Sequence, residues 1–474
     1  MSSAKDLAKE LSYKRRSFWK EAPAEEREAA MAFAEPYKQF LHACRSERAV
    51  VKHFEAMLQQ DGWQDMAQGK KADKMYYISR GKVLAAVRLG TEPVSAGINM
   101  VAAHIDAPRV DLKPAPVYED AKAGMAMLRT HYYGGIRKYQ WMSTPLALVG
   151  VVVRRDGTTV DVSIGENDDD PVFIMPDLLP HLAHKLQNGK SIGDAIDASR
   201  LNVVLSSMPY PTDEDDKVKD ALKLQALHML HQRYGITEAD LLSAELELVP
   251  AGKPRDAGLD RSMIAAYAQD DRVCSYTAMR ALLDADKPRR TMLALLVDKE
   301  EIGSEGNTGA ASFIIEDLVA DLLHVCGEDS GSYNLRKTLI ATKILSADVN
   351  AAENPNWHGL LDENNGVIIG SGVSLTKYTG HGGKGGCNDS NAEFNAQVAH
   401  IFDDAGVFWQ TGELGKTDEG GGGTIAKLLA VYGMEIVDAG PALLNMHSPF
   451  EICHKADILS TVEAFKAFFS AKAD

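Results

Sequence analysis

Residues 97–109 read GINMVAAHIDAPR, an apolar run that ends abruptly at a histidine and an aspartate. An uninterrupted run of this kind is typical of a strand that is buried on both faces of a parallel sheet. Similar runs are found at 83–89, 292–297, 339–345 and 366–370. Helical patterns at 275–283 and 310–324 separate the later runs. Strands that alternate with helices predict an α/β fold, in which a mostly parallel sheet is covered by helices.

The middle of the chain has a different pattern. Two β runs between 146 and 164 flank Asp156-Gly157, which is a strong hairpin signal. Acidic segments that we expect to be solvated follow at 166–170 and 213–216. We therefore expect residues 111–249 to form an inserted, β-rich domain. This insertion would split an α/β catalytic domain into residues 1–110 and 250–474.

The composition restricts the class of protein. The 474 residues include 67 Asp and Glu against 51 Lys and Arg, which gives a formal net charge of −16. Nucleic acids and anionic membranes attract basic surfaces, so this balance argues against both as partners. The apolar stretches are all shorter than the about 18 residues that a membrane span needs. We expect neither a nucleic-acid partner nor a membrane partner.

The cysteines indicate the compartment. Five of them are widely spaced and none forms a C-x-x-C pair. This pattern favours neither a disulfide framework nor a structural zinc knuckle, and it suits a reducing compartment. The first residues, MSSAKDLAKELSYKRR, contain no apolar signal segment. We therefore expect a cytoplasmic protein.

Five segments place carboxylate or imidazole groups next to predicted strand ends. They are AHIDAPR (103–109), QDDR (269–272), DKEEIGS (298–304), SADVN (346–350) and NMHSP (445–449). In α/β sheets, sites form outside the carboxyl ends of the strands. Imidazole and carboxylate without thiolate suit zinc, manganese or cobalt. Each segment alone has an ordinary explanation, such as a helix N-cap for Asp270-Asp271, but five together indicate a hydrolytic metal site.

A two-metal hydrolase would give these residues separate tasks. One carboxylate bridges two ions that lie about 3.5–4 Å apart, and another stays free to take a proton from water. Each ion also needs roughly one histidine and one terminal carboxylate. The adjacent Glu300 and Glu301 suit one such ligand and the free proton acceptor, with one side chain on the metal and its neighbour facing the water. Adjacent like charges at the mouth of a buried strand also repel unless a cation lies between them. Asp106, two residues after His104, is placed to orient that imidazole.

These segments resemble the aspartyl aminopeptidase family of dinuclear zinc metallopeptidases, which includes vacuolar aminopeptidase I. The resemblance runs essentially end to end, and AHIDAPR, QDDR, DKEEIGSEG, SADVNAAENP and NMHSPFE occur in that order. It implies two divalent metal ions per subunit, zinc before cobalt or manganese. By this resemblance His104 and Asp348 bind one ion, and Glu301 and His447 bind the other.

The resemblance also assigns the two remaining central roles. Asp270 resembles the ligand that bridges the ions, and Glu300 resembles the general base. The choice of Asp270 over Asp271 rests on the resemblance, because spacing alone leaves both open.

The resemblance implies a particular assembly. The inserted domain of this family is a dimerisation domain, and dimers assemble into a dodecamer that encloses the active sites. A histidine from a neighbouring subunit reaches the active site, and His181 in PHLAH (180–184) matches it. His181 is then a candidate donor to the oxyanion. The alternative is an ordinary surface histidine that pairs with His184 on a helix.

The glycine-rich segment at 370–387 bears on substrate preference. The resemblance implies that Lys377, with His381 or Lys384 nearby, meets an acidic substrate side chain. Cys387 stands where the family has a tyrosine, and extra glycines surround it. An acidic and a broader, neutral preference therefore both stay open. The alternative is a flexible surface loop, since no phosphate-binding pattern opens a helix here.

Two further stretches attract attention. The run EGGGGTI (419–425) resembles the turn that lines the family's substrate cleft, and a plain loop is the alternative. We interpret His131, Tyr132 and Tyr133 as core or interface residues of the inserted domain.

The expected function is that of a metalloaminopeptidase, which removes single residues from peptides with a free N-terminus. A dinuclear deacylase or carboxypeptidase on the same fold is one alternative, and blocked peptides would distinguish it. A non-catalytic assembly or cargo protein is the other. Such a protein would usually have lost a metal ligand or the general base, and the predicted ones are all present in this sequence.

Overall fold

The computed structural model describes residues 3–213 and 218–471, so most of the acidic segment 213–216 lies outside the described residues. The helices are α1 (Ala4–Leu11), α2 (Phe18–Glu21), α3 (Ala24–Ala43), α4 (Glu47–Gln60), α5 (Pro180–Leu186), α6 (Ile192–Ala195), α7 (Ala221–Tyr234), α8 (Glu238–Leu241), α9 (Gln269–Asp284), α10 (Ile314–Cys326), α11 (Ser332–Ala341), α12 (Ala392–Asp404), α13 (Ala426–Leu429) and α14 (Lys455–Ser470).

The strands form three sheets. They are β1 (Gln64–Asp65), β2 (Lys74–Ser79), β3 (Val83–Arg88), β4 (Ile98–His104), β5 (Arg109–Asp120), β6 (Met125–Tyr133), β7 (Leu146–Val153), β8 (Thr159–Ile164), β9 (Val203–Ser206), β10 (Glu245–Pro250), β11 (Arg255–Ala257), β12 (Met263–Ala266), β13 (Thr291–Val297), β14 (Lys343–Ser346), β15 (Asn350–Ala351), β16 (Val373–Thr376), β17 (Trp409–Thr411), β18 (Glu435–Gly440), β19 (Ala442–Leu444) and β20 (Glu451–His454).

The largest sheet positions the site. Its nine strands have the order β1-β2-β3-β13-β4-β14-β18-β16-β17. The central strands β13, β4, β14 and β18 are parallel to one another. Every residue of β4 and β13 is buried, as expected for strands with helices on both faces. The predicted α/β class, with a mostly parallel sheet covered by helices, is confirmed.

The two faces of this sheet bury alternate residues of the same strands. Val101 and Ala103 of β4 pack with helices α3, α4, α9, α12 and α14. Met100 and Ala102 point to the other face and pack with α10, α11 and α13. Because side chains alternate along a strand, one continuous apolar run supplies both cores.

The middle of the chain forms a separate sheet. Its six strands have the order β8-β7-β10-β5-β6-β9, and each neighbouring pair is antiparallel. The hairpin predicted at Asp156-Gly157 joins β7 to β8, where an Asp156 side-chain oxygen accepts the backbone N–H of Thr158 (2.9 Å). This six-stranded sheet has its own hydrophobic core. The core also includes Ala107, Val110, Tyr267 and Ala268, so the division at 111–249 stays a prediction.

Two predicted strands differ from the structure. The run 339–345 begins inside α11, and its strand, β14, starts only at Lys343. The strand predicted at 366–370 is wrong, since Val367 forms an isolated bridge to Ala352 and belongs to no strand. The side-chain amide of Gln410 instead pairs with both the N–H and the C=O of Ile368, at 3.0 and 2.8 Å. These two hydrogen bonds take the place of the backbone hydrogen bonds that a neighbouring strand would supply.

The cysteines and helices concern the expectations about disulfides, cellular location and membrane spans. The five cysteines are free thiols in the structure. The cytoplasmic location stays a prediction from the cysteine pattern. Among helices of the described ranges, none combines the length and apolar character that crossing a membrane requires.

Candidate active site

The predicted metal ligands meet at one edge of the nine-stranded sheet. His104 is the last residue of β4, and its register partner Val297 ends β13 shortly before Glu300 and Glu301. Strand β14 pairs with β4 and ends two residues before Asp348. The carboxyl ends of parallel neighbours lie side by side, so residues from distant segments converge there. Asp270, at the start of α9, and His447, between β19 and β20, complete the cluster.

Asp270 lies between the two histidines. Its Oδ1 is 3.2 Å from Nε2 of His104, and its Oδ2 is 3.2 Å from Nε2 of His447. Two ligands with bonds of about 2.0 Å to a tetrahedral zinc ion would lie about 3.3 Å apart. The structure therefore holds both pairs of ligand atoms at the separation that a zinc ion needs.

Two more carboxylates extend the cluster. Oε2 of Glu301 is 3.4 Å from Nε2 of His447, and Oδ1 of Asp348 is 3.9 Å from Nε2 of His104. Ligand atoms of His104, Glu300 and Asp348 also lie within 4.8 Å of one another. Oε1 of Glu301 is buried and, among the described residues, has no hydrogen-bond partner. A donor set of two imidazoles and several carboxylates without thiolate fits zinc.

The charge balance of the cluster also favours a cation. Burial, together with the charge of Asp270, raises the pKa of Glu301 well above its ordinary value. Burial likewise raises the pKa of Asp348, and nearby carboxylates add to that effect. Burial raises the pKa of Glu300 to about 7. Divalent cations stabilise the ionised form of such carboxylates, so metal binding here would release protons.

Asp106 holds the turn that carries both glutamates. It is fully buried, and its Oδ1 and Oδ2 accept the backbone N–H groups of Glu300 (3.1 Å) and Glu301 (3.2 Å). Nδ1 of His104 lies 3.1 Å from the backbone carbonyl oxygen of Asp106 and 3.3 Å from its Oδ1, and either oxygen can orient the imidazole. Nε2 of His104 then points toward Asp270.

Glu451 supports the other half of the cluster, and sequence reasoning missed it. Its Oε1 accepts the backbone N–H of His447 (2.8 Å), and its Oε2 accepts that of Asp270 (3.1 Å). Glu451 is buried, and burial raises its pKa to about 8. The available signal was its position at the end of the segment NMHSPFE.

Segment 133–135 of the six-stranded sheet also contacts the cluster. The hydroxyl of Tyr133 donates to Oδ2 of Asp106 (2.8 Å), and Nδ1 of His447 lies 2.8 Å from the carbonyl oxygen of Gly135. A proton on Nδ1 would leave Nε2 of His447 free for a metal ion. The interpretation of Tyr133 as a core or interface residue therefore missed its contact with the site.

The predicted residues His181, Lys377 and His381 do not line the cavity beside this cluster, although Thr376 and Thr379 do. His181 is exposed on α5 and does not line the cavity beside the cluster. Nζ of Lys377 donates to Oδ1 of Asp389 (2.9 Å), and His381 forms a short bridge with Gly385. Lys377 and His381 also lie outside the cavity lining.

The cavity has a volume of about 440 Å³, and other polar residues line it. They include Asn350, Thr376, Thr379, Thr424, Lys427 and Asp438. Glycines 421–423 also line it, in agreement with the cleft predicted for the run 419–425. Lys427 was missed because it lies two residues beyond that run.

Comparisons with known proteins agree with this geometry. The sequence profile of the aminopeptidase I zinc metalloprotease family (M18) matches residues 40–469. A probable M18 family aminopeptidase 1 of Clostridium acetobutylicum is 44% identical over an alignment of 472 positions, and the match covers 98% of this chain and 99% of that protein.

Solved structures give the same result. The crystal structure of an M18 family aminopeptidase from Thermotoga maritima is 41% identical, with a TM-score of 0.91 over 97% of this chain and 100% of that one. The mature aminopeptidase 1 of Saccharomyces cerevisiae, solved as a dodecamer, is 23% identical with a TM-score of 0.73 over 92% of this chain and 96% of that one. This chain therefore belongs to the aminopeptidase I family of zinc metalloproteases, M18, and is an aminopeptidase.

Proposed function

We propose that this aminopeptidase removes single N-terminal residues from peptides by two-metal hydrolysis, with Glu300 as the general base. The observation that carries the proposal is the position of Asp270. Its two oxygens lie 3.2 Å from Nε2 of His104 and of His447, one oxygen to each histidine. This is the arrangement expected of a carboxylate that bridges two ions.

The chain's own residues would divide the ligand roles. His104 and Asp348 would hold one ion, and His447 and Glu301 the other. Two divalent ions, when bound, polarise a carbonyl group and acidify water. Zinc is the proposed metal, with cobalt or manganese as alternatives.

Glu300 is the proposed proton carrier. Glu300 and Glu301 both line the cavity, and Oε2 of Glu301 lies 3.4 Å from Nε2 of His447. A carboxylate with a pKa raised by burial toward neutrality can take a proton from the attacking water and return it to the leaving amine. Asp106 fixes the backbone of both glutamates, so their roles stay distinct.

The shape of the site suits a peptide end. The cavity wall includes Asp438, a carboxylate outside the proposed ligand set that suits a free α-ammonium group. A peptide whose N-terminus is acetylated has lost this charge, and we expect it to be a poor substrate. Peptides with a free N-terminus are therefore the proposed substrates.

We propose that Lys427 recognises the substrate side chain. It lines the cavity, and its Nζ lies 3.3 Å from the position that a Cβ at Gly423 would occupy. The Lys377 ammonium group, in contrast, is paired with Asp389. A cation in a polar cavity favours acidic side chains, since charge-assisted hydrogen bonds are the stronger ones. Lys377 with His381 stays the competing prediction, and a neutral preference is the third.

We also propose a homo-oligomer, built from dimers and reaching a dodecamer. Leu179, directly before helix α5, and Leu182 and Leu186 on it have exposed fractions of 50%, 57% and 46%. Burial of such residues against another subunit is favourable. His181 lies on the same helix and could then enter a neighbour's active site as a donor to the oxyanion.

A substrate panel tests the proposed function. Aminoacyl chromogenic substrates led by Asp, Glu, Leu and Met would be assayed with and without a chelator, with the acetylated forms as matched controls. We expect chelator-sensitive release from the free forms only. Release of acetate from the acetylated forms, without release of the chromophore, would support a deacylase instead. Unchanged release after chelation and dialysis would contradict the metal-dependent mechanism.

A further inference from the structure

We propose that Tyr133 is a positioning residue for the metal site, through which the six-stranded sheet fixes the metal-binding turn. The inference rests on the proposed two-metal function and extends it to a residue that binds neither metal nor substrate. Tyr133 would act through Asp106, and the segment 133–135 as a whole would reach the ligands of both ions.

The first step is the contact between Tyr133 and Asp106. Tyr133 ends β6, and its hydroxyl donates to Oδ2 of Asp106 over 2.8 Å. Asp106 is fully buried, and each of its oxygens also accepts one backbone N–H, from Glu300 or Glu301. Without the hydroxyl, Oδ2 would keep only the longer bond of 3.2 Å from Glu301. A buried carboxylate that loses a strong donor shifts or becomes protonated.

The second step is that the Tyr133 ring is itself held firmly. The guanidinium carbon of Arg109 lies 3.8 Å from the centroid of the ring. Arg109 in turn is 3.5 Å from Glu247 and 2.8 Å from Asp111, both of the six-stranded sheet. It is also 3.6 Å from Glu47 of α4. These ion pairs fix the ring, so the position of the hydroxyl is set by the contact of the six-stranded sheet with α4.

The third step concerns the next two residues, Gly134 and Gly135, which lie beside Glu301 and His447. The carbonyl oxygen of Gly135 lies 2.8 Å from Nδ1 of His447. Gly134 has φ of +75°, and a Cβ there would lie 3.3 Å from Cβ of Glu301 and 3.4 Å from its Oε2. Tyr133 and Gly135 therefore contact Asp106 and His447, and Gly134 between them leaves no room for a side chain beside Glu301.

Replacement of Tyr133 by phenylalanine tests the inference. Tyr133→Phe keeps the ring against Arg109 and removes only the hydroxyl. Loss of a group that supports a metal ligand typically weakens metal affinity or activity about 10–100-fold. We expect zinc affinity, measured by competition with a chromogenic chelator, to fall by about 10-fold or more. We also expect kcat to fall while KM stays near the wild-type value.

Tyr132→Phe is the matched control, because Tyr132 is adjacent, 41% exposed and directed away from Asp106. It should keep wild-type zinc affinity and kcat. Tyr133→Phe with wild-type zinc affinity and kcat would overturn the inference. So would a variant that loses thermal stability alone, since that result indicates a purely structural tyrosine.

A second pair of variants decides the question if Tyr133→Phe does not fold. Gly134 and Gly124 both have positive φ, +75° and +67°, but a Cβ at Gly124 has no atom within 4 Å. Gly134→Ala should lower zinc affinity more than Gly124→Ala, because only the former adds an atom beside Glu301. Equal affinities would contradict the inference.

Failure of the proposed function gives a different result. Wild-type protein without chelator-sensitive aminopeptidase activity would contradict the proposed function, whatever the variants do. Active wild-type protein with an indistinguishable Tyr133→Phe variant would contradict the inference alone.

Discussion

Glu451 accepts the backbone N–H of Asp270 through its Oε2 over 3.1 Å, and its Oε1 accepts that of His447 over 2.8 Å. Asp106 does the same for Glu300 and Glu301 on the other side of the cluster. Two buried carboxylates thus fix the backbone of the residues that carry the chemistry. The site therefore depends on Glu451 and Asp106 even if neither of them binds a metal ion.

The first prediction concerns Glu451→Gln. The glutamine oxygen can accept only one of the two N–H groups, and its amide would face the other with a donor. We expect kcat/KM to fall about 10-fold or more, with weaker zinc retention during dialysis, as for other groups that support metal ligands. Glu435→Gln is the control, since both side-chain oxygens of Glu435 accept from the side chain of Asn391, outside the cluster. Equal kinetics in the two variants would contradict this role of Glu451.

The second prediction separates the two candidate specificity lysines. Lys427→Met removes the cation that lines the cavity, so kcat/KM for substrates led by Asp or Glu should fall about 10-fold or more, as loss of a charged hydrogen bond predicts. Substrates led by Leu should change little. Lys377→Met, the matched control, should leave both unchanged. A selective loss in Lys377→Met instead would favour the competing prediction, and no loss in either variant would favour a neutral preference.

The third prediction concerns pH and His454. Burial lowers the pKa of His454 from 6.5 to about 4, and its Nε2 accepts a hydrogen bond from the indole of Trp19 (2.9 Å). The unfolded chain therefore binds the proton first as the pH falls below 6.5. The stability that the neutral imidazole contributes is present above that pH and is lost progressively toward pH 4, by up to ~3 kcal/mol.

Chemical denaturation at several pH values measures this effect. Between pH 6.5 and 4, the unfolding free energy of His454→Gln should decrease less than that of the wild type. His324→Gln, at an exposed position of α10, should keep it. Identical pH profiles for His454→Gln and the wild type would show that His454 does not contribute.

How far the sequence predicts this site depends on where each residue lies. His104, Glu300, Glu301 and Asp348 follow apolar strands, and the alignment of parallel strand ends places them together. A buried strand gives a continuous apolar run in the sequence, so the central strands of the sheet could be predicted. Bridge and general-base roles came from family resemblance, because Asp270 and Asp271 are equivalent in the sequence alone.

The supporting residues could not be predicted in the same way. Tyr133 and Gly135 reach the cluster from the end of strand β6 of a different sheet and from the turn after it, and no local pattern encodes that contact. The strand expected at 366–370 failed because Gln410, distant in sequence, satisfies the backbone of Ile368. Lys427 lines the cavity because it lies on the short helix α13, and no sequence motif marks that position.

The fourth prediction tests whether His181 acts between subunits. His181→Ala should lower kcat about 10²–10³-fold, as removal of an oxyanion donor typically does. His184→Ala, one turn along the same exposed helix, should have little effect. Both variants should elute at the wild-type size in gel filtration.

A mixing experiment completes this test. Co-assembled His181→Ala and Glu300→Gln subunits should recover activity, because an intact Glu300 then meets the intact His181 of a neighbour. Mixtures that stay inactive, although gel filtration and differential tags demonstrate co-assembly, would contradict action between subunits.

The most direct test of the two-metal account is the zinc content and the turnover of Glu300→Gln, measured on the same sample. Glutamine has the size of glutamate but takes no proton from water. We expect metal content per subunit equal to that of the wild type and kcat about 10²–10⁴-fold lower, the usual contribution of a general base. Turnover near the wild-type value, with the metal content unchanged, would contradict the assignment of Glu300 as the general base.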